Sequence, residues 1–210
     1  CPTGPMQTQQ MEFIAYNIGT HYWHGHSSLS RLDGLQGAII IDDPNDQQEL
    51  ALKEMYDEER VVFLQDWYHR TGSSSRTGLD SEPFIWIGNA QSVLINGLGR
   101  FEGCLGDTPA DNCDADCTIE NYIASINIEA GKTYRLRIIN GASLIAIASH
   151  TMSIVEADGT IVDPVMSWLP IWIFPLDNGI QCSSRRISLL PPPGPPLPCV
   201  IATVVVRRGH

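Results

Sequence analysis

The chain has 210 residues, 43% of them hydrophobic and 18% charged, with a formal net charge of −11. That balance supports a buried core in one large domain or two small ones. Its acidity excludes a nucleic-acid partner, which would need a basic surface. The longest apolar stretch, residues 165–175, contains prolines and is too short to cross a bilayer, so no membrane partner is expected. The chain opens on Cys1, with no charged-then-apolar leader, and its N-terminus is read as cut or processed.

Helical periodicity is scarce along the chain. "GAIIIDDP" (37–44) reads as a buried strand ending at Pro44. The polar, acidic stretch 45–60 reads as a linker with a possible helical turn. "VVFLQDWYHR" (61–70) is a strand, "TGSSSRTG" (71–78) a loop, and "SVLINGLGRF" (92–101) a short strand followed by a glycine turn. "SINIEAGKTYRLRIINGA" (125–142) alternates on both sides of a turn at Ala130-Gly131. Ile126 and Ile128 share one face there, as do Tyr134, Leu136 and Ile138. "HTMSIVEADGTIV" (150–162) repeats the pattern, with Asp158-Gly159 as a hairpin signal. Many short strands separated by turn signals predict an all-β sandwich. Residues 166–210 break from this pattern. They include a proline run beside arginine pairs and are read as a Pro-rich or aberrant tail, from a polyproline linker or from a shifted frame or retained intron.

Three histidines fall within six residues in "GTHYWHGH" (19–26). On a strand His24 and His26 point to one side with Tyr22, while Trp23 and Gly25 face the other. Their Cα atoms then lie about 7 Å apart, close enough for both imidazoles to serve one metal or two adjacent ones. Gly25 leaves room for another backbone to approach behind the pair. Imidazole suits zinc, copper, iron and nickel. The plainer alternative is surface or core histidines with no ligand. Two histidines do not complete a tight site, so the remaining ligands would have to come from elsewhere.

The six cysteines are Cys1, Cys104, Cys113, Cys117, Cys182 and Cys199. Disulfides are favoured over free thiols, and zinc comes last because Cys113 and Cys117 lack the usual paired spacing.

The words around the histidine pair resemble the second copper motif of the multicopper oxidases: Gly-Thr, aromatics, His-x-His, a spacer, Asp-Gly-Leu-x-Gly, an apolar strand and a proline. "FLQDWYHR", "LINGLGRF" and "INIEAGKTYRLRIINGAS…HTMSIVEADGTIVDPV" resemble segments of the second domain of laccases, in the same order, so the likeness covers residues 19–165. It implies an all-β, cupredoxin-like Greek-key fold. The first domain would contribute its C-terminal part over 1–46, followed by a linker over 47–58, a second domain over 59–165 and the tail over 166–210.

The resemblance further implies that His24 and His26 are ligands of copper, in the family's trinuclear type 2/type 3 cluster. It implies a laccase-like oxidoreductase in which one-electron oxidation of phenolic substrates is coupled to four-electron reduction of O2 to water, in a secreted protein. The chain has no His-Cys-His segment for a type 1 copper and one of the family's four His-x-His pairs, so alone it is expected to be inactive. Leu32 stands where some fungal laccases carry a cysteine. The rivals are a ferroxidase, an ascorbate-oxidase-like enzyme, or a non-catalytic secreted β-sandwich. Among other residues, His69 and His150 are read as structural, Asp33 as a hydrogen bond to the turn at Gly34, Asn96-Gly97 as a turn, and Trp23, Trp67 and Trp86 as core.

Overall fold

The structure, a computed structural model, describes residues 3–99, 101, 125–143, 147–148, 153–157, 159–166, 172–173 and 202–207. The expected histidine-bearing strand is β1 (Gly19–His24), and the "GAIII" strand is β2 (Gln36–Ile41). They pair antiparallel, Gly19 opposite Ile41 and His24 opposite Gln36. The acidic stretch that follows holds α1 (Gln47–Lys53). The Asp46 carboxylate accepts from the Gln48 and Glu49 amides and caps the helix, and Glu49 and Lys53 suit the two ends of its dipole.

Next comes β3 (Glu58–Trp67), then α2 (Gly72–Leu79), where the composition predicts a loop. Glycine and serine are poor helix formers. Here Thr71 caps the helix by accepting from the Ser74 amide, and Asp33 accepts from the Gly72 amide at 2.6 Å. Tertiary contact thus overrides local preference. β4 (Ser92–Ile95) follows, and Asn96 adopts φ +52 in the turn after it. Asn96 does more than turn the chain. Its side chain accepts from the Phe63 amide and donates to the Val61 carbonyl, extending the pairing of β4 with β3.

The remaining strands are β5 (Thr133–Asn140), β6 (Ile147–Ala148), β7 (Ser153–Ala157), β8 (Thr160–Met166), β9 (Trp172–Ile173) and β10 (Ala202–Arg207). The hairpin expected around Gly159 is β7–β8, with Ala157 opposite Thr160. Residues 125–129, which alternate like a strand, form none, and Ile128 stays exposed.

The main sheet has the order β4-β3-β5-β10-β7-β8. Its pairs are antiparallel except β3 with β5, which run parallel. β6 and β9 form a separate pair. β10 belongs to the stretch set apart by composition as a tail, yet it lies between β5 and β7. β8 is an edge strand, the position in a sheet where Pro164 costs least.

Alternation along β3 and β5 divides the core. Val62, Leu64 and Ile138 join Ile154 on one face, with Ile95, Ile126, Leu136 and Val162 packed against them. Phe63 and Ile139 face the other way and meet Tyr22 and Ala38 of the β1–β2 hairpin. Burying each such side chain contributes about 1.5–3 kcal/mol. A bulge between Ile154 and Glu156 brings two successive residues of β7 to the hairpin side. Val155 packs on Leu52 of α1, and Glu156 enters a buried ionic cluster. The expectation of core tryptophans fails at two positions. Trp23 is exposed because it sits on the outer face of β1 with its indole over Gly37, its cross-strand partner, and Trp86 is exposed beside Phe84 in a segment outside any strand.

Candidate metal centre

His24 ends β1 and His26 lies two residues past the strand, outside the alternation expected to face them together, yet the two rings lie side by side. Their ring centroids lie 4.3 Å apart, with His24 half-buried and His26 exposed. The rings continue a stack that begins in the core. Phe63 lies 6.1 Å from Tyr22, and Tyr22 lies 5.0 Å from His24. The Tyr22 hydroxyl donates to Gln36 Oε1 at 2.5 Å, and Gln36 is the cross-strand partner of His24. His24 Nδ1 lies 3.2 Å from the Gly25 carbonyl. A carbonyl only accepts, so Nδ1 carries the proton and Nε2 keeps the lone pair a metal would use.

The loop behind the pair closes on itself. The Gly25 amide donates to Leu35 O at 2.8 Å, and the Leu35 amide to Ser30 O at 3.0 Å. A Cβ on Gly25 would collide with Ser30 Oγ and the Leu35 side chain. The space expected to admit another backbone is therefore filled by the loop's own side chains. His21 lies apart from the pair, its Nε2 2.8 Å from the Asn17 carbonyl, in a polar cleft shared with Asp46 and Gly159.

The hairpin is seated on the main sheet at three levels. At its loop end, Gly34 has φ +94, a conformation glycine adopts freely, and lies against the Trp67 ring. Asp33 reaches the first amide of α2 rather than the turn at Gly34, and Arg76 donates to Ser28 Oγ at 3.3 Å. At mid-strand, Tyr22 stacks on Phe63. At the start of β1, the Thr20 amide donates to Glu156 Oε1 at 2.6 Å, and Arg137 donates to Thr20 Oγ1 at 2.9 Å.

Those last contacts belong to a buried ionic cluster. Arg135 donates to both oxygens of Glu49 at 2.9 Å and to Glu156 at 2.7 Å. Arg137 also reaches Glu59 at 3.1 Å and Asp42 at 3.2 Å. Arg135, Arg137, Glu49 and Glu156 are all at most 1% exposed. Burial opposes the charge on Arg135, but hydrogen bonds with Glu49, Tyr56 and Glu156 outweigh it and hold its pKa above the ordinary guanidinium value. None of these residues stands out in the sequence. The one local sign is charge inside apolar strands, in "TYRLRIIN" and "SIVEA", which reads equally well as a solvated face.

His69 supports the fold, with Nε2 3.0 Å from Ser92 Oγ and its ring 4.6 Å from Phe101. His150, His210 and all six cysteines, with the disulfide expectation that rests on them, lie outside the described residues. Among the described residues, no group of three or more His, Cys, Asp or Glu is placed to hold a metal ion. The pair is thus a partial donor set: two nitrogen donors on one face, suited to borderline metals.

A family model described as multicopper oxidase matches residues 58–169, and a second of the same description matches residues 1–46. L-ascorbate oxidase of Cucumis sativus is 33% identical over 174 residues, covering 80% of this chain and 29% of that protein. Laccase-1 of Agaricus bisporus is 35% identical over 174 residues, covering 79% of this chain and 29% of that protein. Among solved structures, laccase from Botrytis aclada superposes with a TM-score of 0.55 at 22% identity, over 90% of this chain and 29% of that one. The chain therefore spans less than a third of the length of these relatives.

Proposed function

The chain belongs to the multicopper oxidase family, with its all-β cupredoxin-like fold and its oxidoreductase chemistry, and from that premise we propose that His24 and His26 are copper ligands within a laccase-like oxidase. The observation that carries this reading is the His24–His26 arrangement: two imidazoles on one face, 4.3 Å apart, with Nε2 of His24 left as the donor. As a donor set it fits copper, which favours imidazole nitrogen. When bound in a complete site, copper supplies one-electron redox chemistry that joins single-electron oxidation of a phenolic reductant to four-electron reduction of O2.

The chain's own residues hold and orient. Tyr22 and Gln36 flank His24 and fix its ring plane, the Gly25 carbonyl sets its tautomer, and the closed loop at Ser30 and Leu35 backs the pair. With one of the family's four His-x-His pairs and no His-Cys-His segment in its sequence, this chain alone is expected to bind copper without turning over a phenol. The activity belongs to the assembled oxidase, which we place outside the cell, as the resemblance to secreted laccases implies.

A Cu(II) titration of the 210-residue chain tests the assignment. Binding is expected in the parent chain and lost in the His24→Ala/His26→Ala double variant. Equal binding by both would remove the pair from the site and leave a non-catalytic β-sandwich as the reading.

The matches to L-ascorbate oxidases, at identities like those of the laccases, support a second reading in which the reductant is ascorbate. Oxygen uptake by the full-length gene product with each reductant in turn separates the two. Faster uptake with a phenol supports the laccase reading, and faster uptake with ascorbate replaces it.

A further inference from the structure

We infer that Glu156, acting with Arg137 through Thr20, is a positioning residue for the His24–His26 metal site. The inference rests on the copper reading above and adds to it residues that touch neither histidine. Thr20, Tyr22 and His24 alternate along β1 and so share one face. That face looks onto the main sheet: Thr20 is 0% exposed and Tyr22 stacks on Phe63. The strand is short, and among the described residues its only sheet partner is β2. A two-stranded ribbon is marginally stable by itself, so the roll of β1 about its axis must be set by what it rests on.

Glu156 and Arg137 set that roll. Glu156 Oε1 accepts from the Thr20 amide at 2.6 Å, and its other oxygen accepts from Arg135 at 2.7 Å. Arg137 donates to Thr20 Oγ1 at 2.9 Å and lies 3.7 Å from Glu156. The strand is thus gripped by backbone and side chain at one residue. A slip by one position would exchange the two faces of β1 and turn His24 away from the sheet side. His24 lies four residues on, about 13 Å along the strand, so a small rotation at Thr20 is carried to the imidazoles by a stiff extended backbone. Loss of a group hydrogen-bonded directly to a metal-binding histidine typically weakens metal binding about 10- to 100-fold, and Glu156, acting at one remove through the strand, is expected at the lower end of that range.

The test uses the whole chain with 15N-labelled histidine. Ring signals are recorded without metal, then Cu(II) is titrated and the electron paramagnetic resonance spectrum is taken. Glu156→Gln is expected to shift the His24 and His26 ring signals, weaken Cu(II) binding roughly tenfold and alter the copper spectrum. Thr20→Val is expected to do the same, and Thr20→Ser to restore wild-type behaviour.

Val62→Ala is the control for general loss of stability, because Val62 packs on the opposite face of the sheet. It is expected to lower the melting temperature while leaving ring signals and affinity unchanged. Wild-type ring signals and affinity in both Glu156→Gln and Thr20→Val would overturn the inference, as would a loss in Val62→Ala equal to theirs. If the parent chain binds no Cu(II) through the pair, the copper reading falls, while the metal-free ring signals still decide whether Glu156 positions the histidines.

Discussion

Tyr68 shows how a single buried group ties the fold to pH. It is 5% exposed, and its hydroxyl donates to Gly88 O at 3.3 Å. Burial, with the Asp66 carboxylate nearby, pushes its phenol up from an ordinary value of 10 to about 12. A raised pKa in the folded state means that the stabilisation is fully present below pH 10 and is lost as pH rises through about 12. Urea unfolding of the parent chain is therefore expected to weaken across that window. Tyr68→Phe is expected to lack this part of the alkaline decline, so a parallel decline in both would assign it to other groups. At this scale the sequence was legible where contacts are local. Alternation along β1 makes the facing of Tyr22 and His24 legible, whereas His26 lies past the strand end, where the Gly25–Leu35 hydrogen bond helps to place it. Thr20, Arg137 and Glu156 were not legible, because the hydrogen bond from Thr20 to Glu156 joins residues 136 apart and no local pattern encodes it. Asp33 was half legible: a carboxylate that accepts from a backbone amide, but on α2 rather than on its own turn.

Among the elements, α2 departs most from what its residues suggest. Its helical form depends on Thr71 at the cap and on the close approach of the histidine loop to Gly72. A Cβ on Gly72 would stand 2.6 Å from Leu29 Cβ and 3.0 Å from Leu29 O. In an isolated helix alanine is the better former, by about 1 kcal/mol. Here Gly72→Ala is expected to destabilise the chain by about 1–3 kcal/mol, since the clash outweighs propensity. A gain in melting temperature would show that the loop does not rest there. The β3, β4 and β7–β8 elements were readable because period-2 alternation and turn residues are strong local signals. Residues 125–129 carry the same alternation but form no strand, and α2 carries no helical signal, so packing decided both.

For the molecule as a whole, the sheet draws on distant parts of the chain. β10 joins β5 and β7 across the middle of the sheet, although composition set that region apart. The proline run dominates the average composition there and hides the short "ATVVVR" segment, which is β-branched and strand-like. Without β10, the facing edges of β5 and β7 would lack partners, and unpaired edges invite association between chains. A chain ended at Met166 is expected to aggregate in light scattering under conditions where the 210-residue chain stays monomeric. Monomeric, equally stable material would remove β10 from that place. The bond between Thr20 and Glu156 also fixes an order of events during synthesis. Thr20 and the imidazole pair are translated first, and the carboxylate that seats their strand is added 136 residues after Thr20, on the order of ten seconds later at ordinary elongation rates. Until then the nascent histidines lack the contact that seats their strand, so, if Glu156 positions the pair as inferred above, cation loading is expected only after residue 156 has been added.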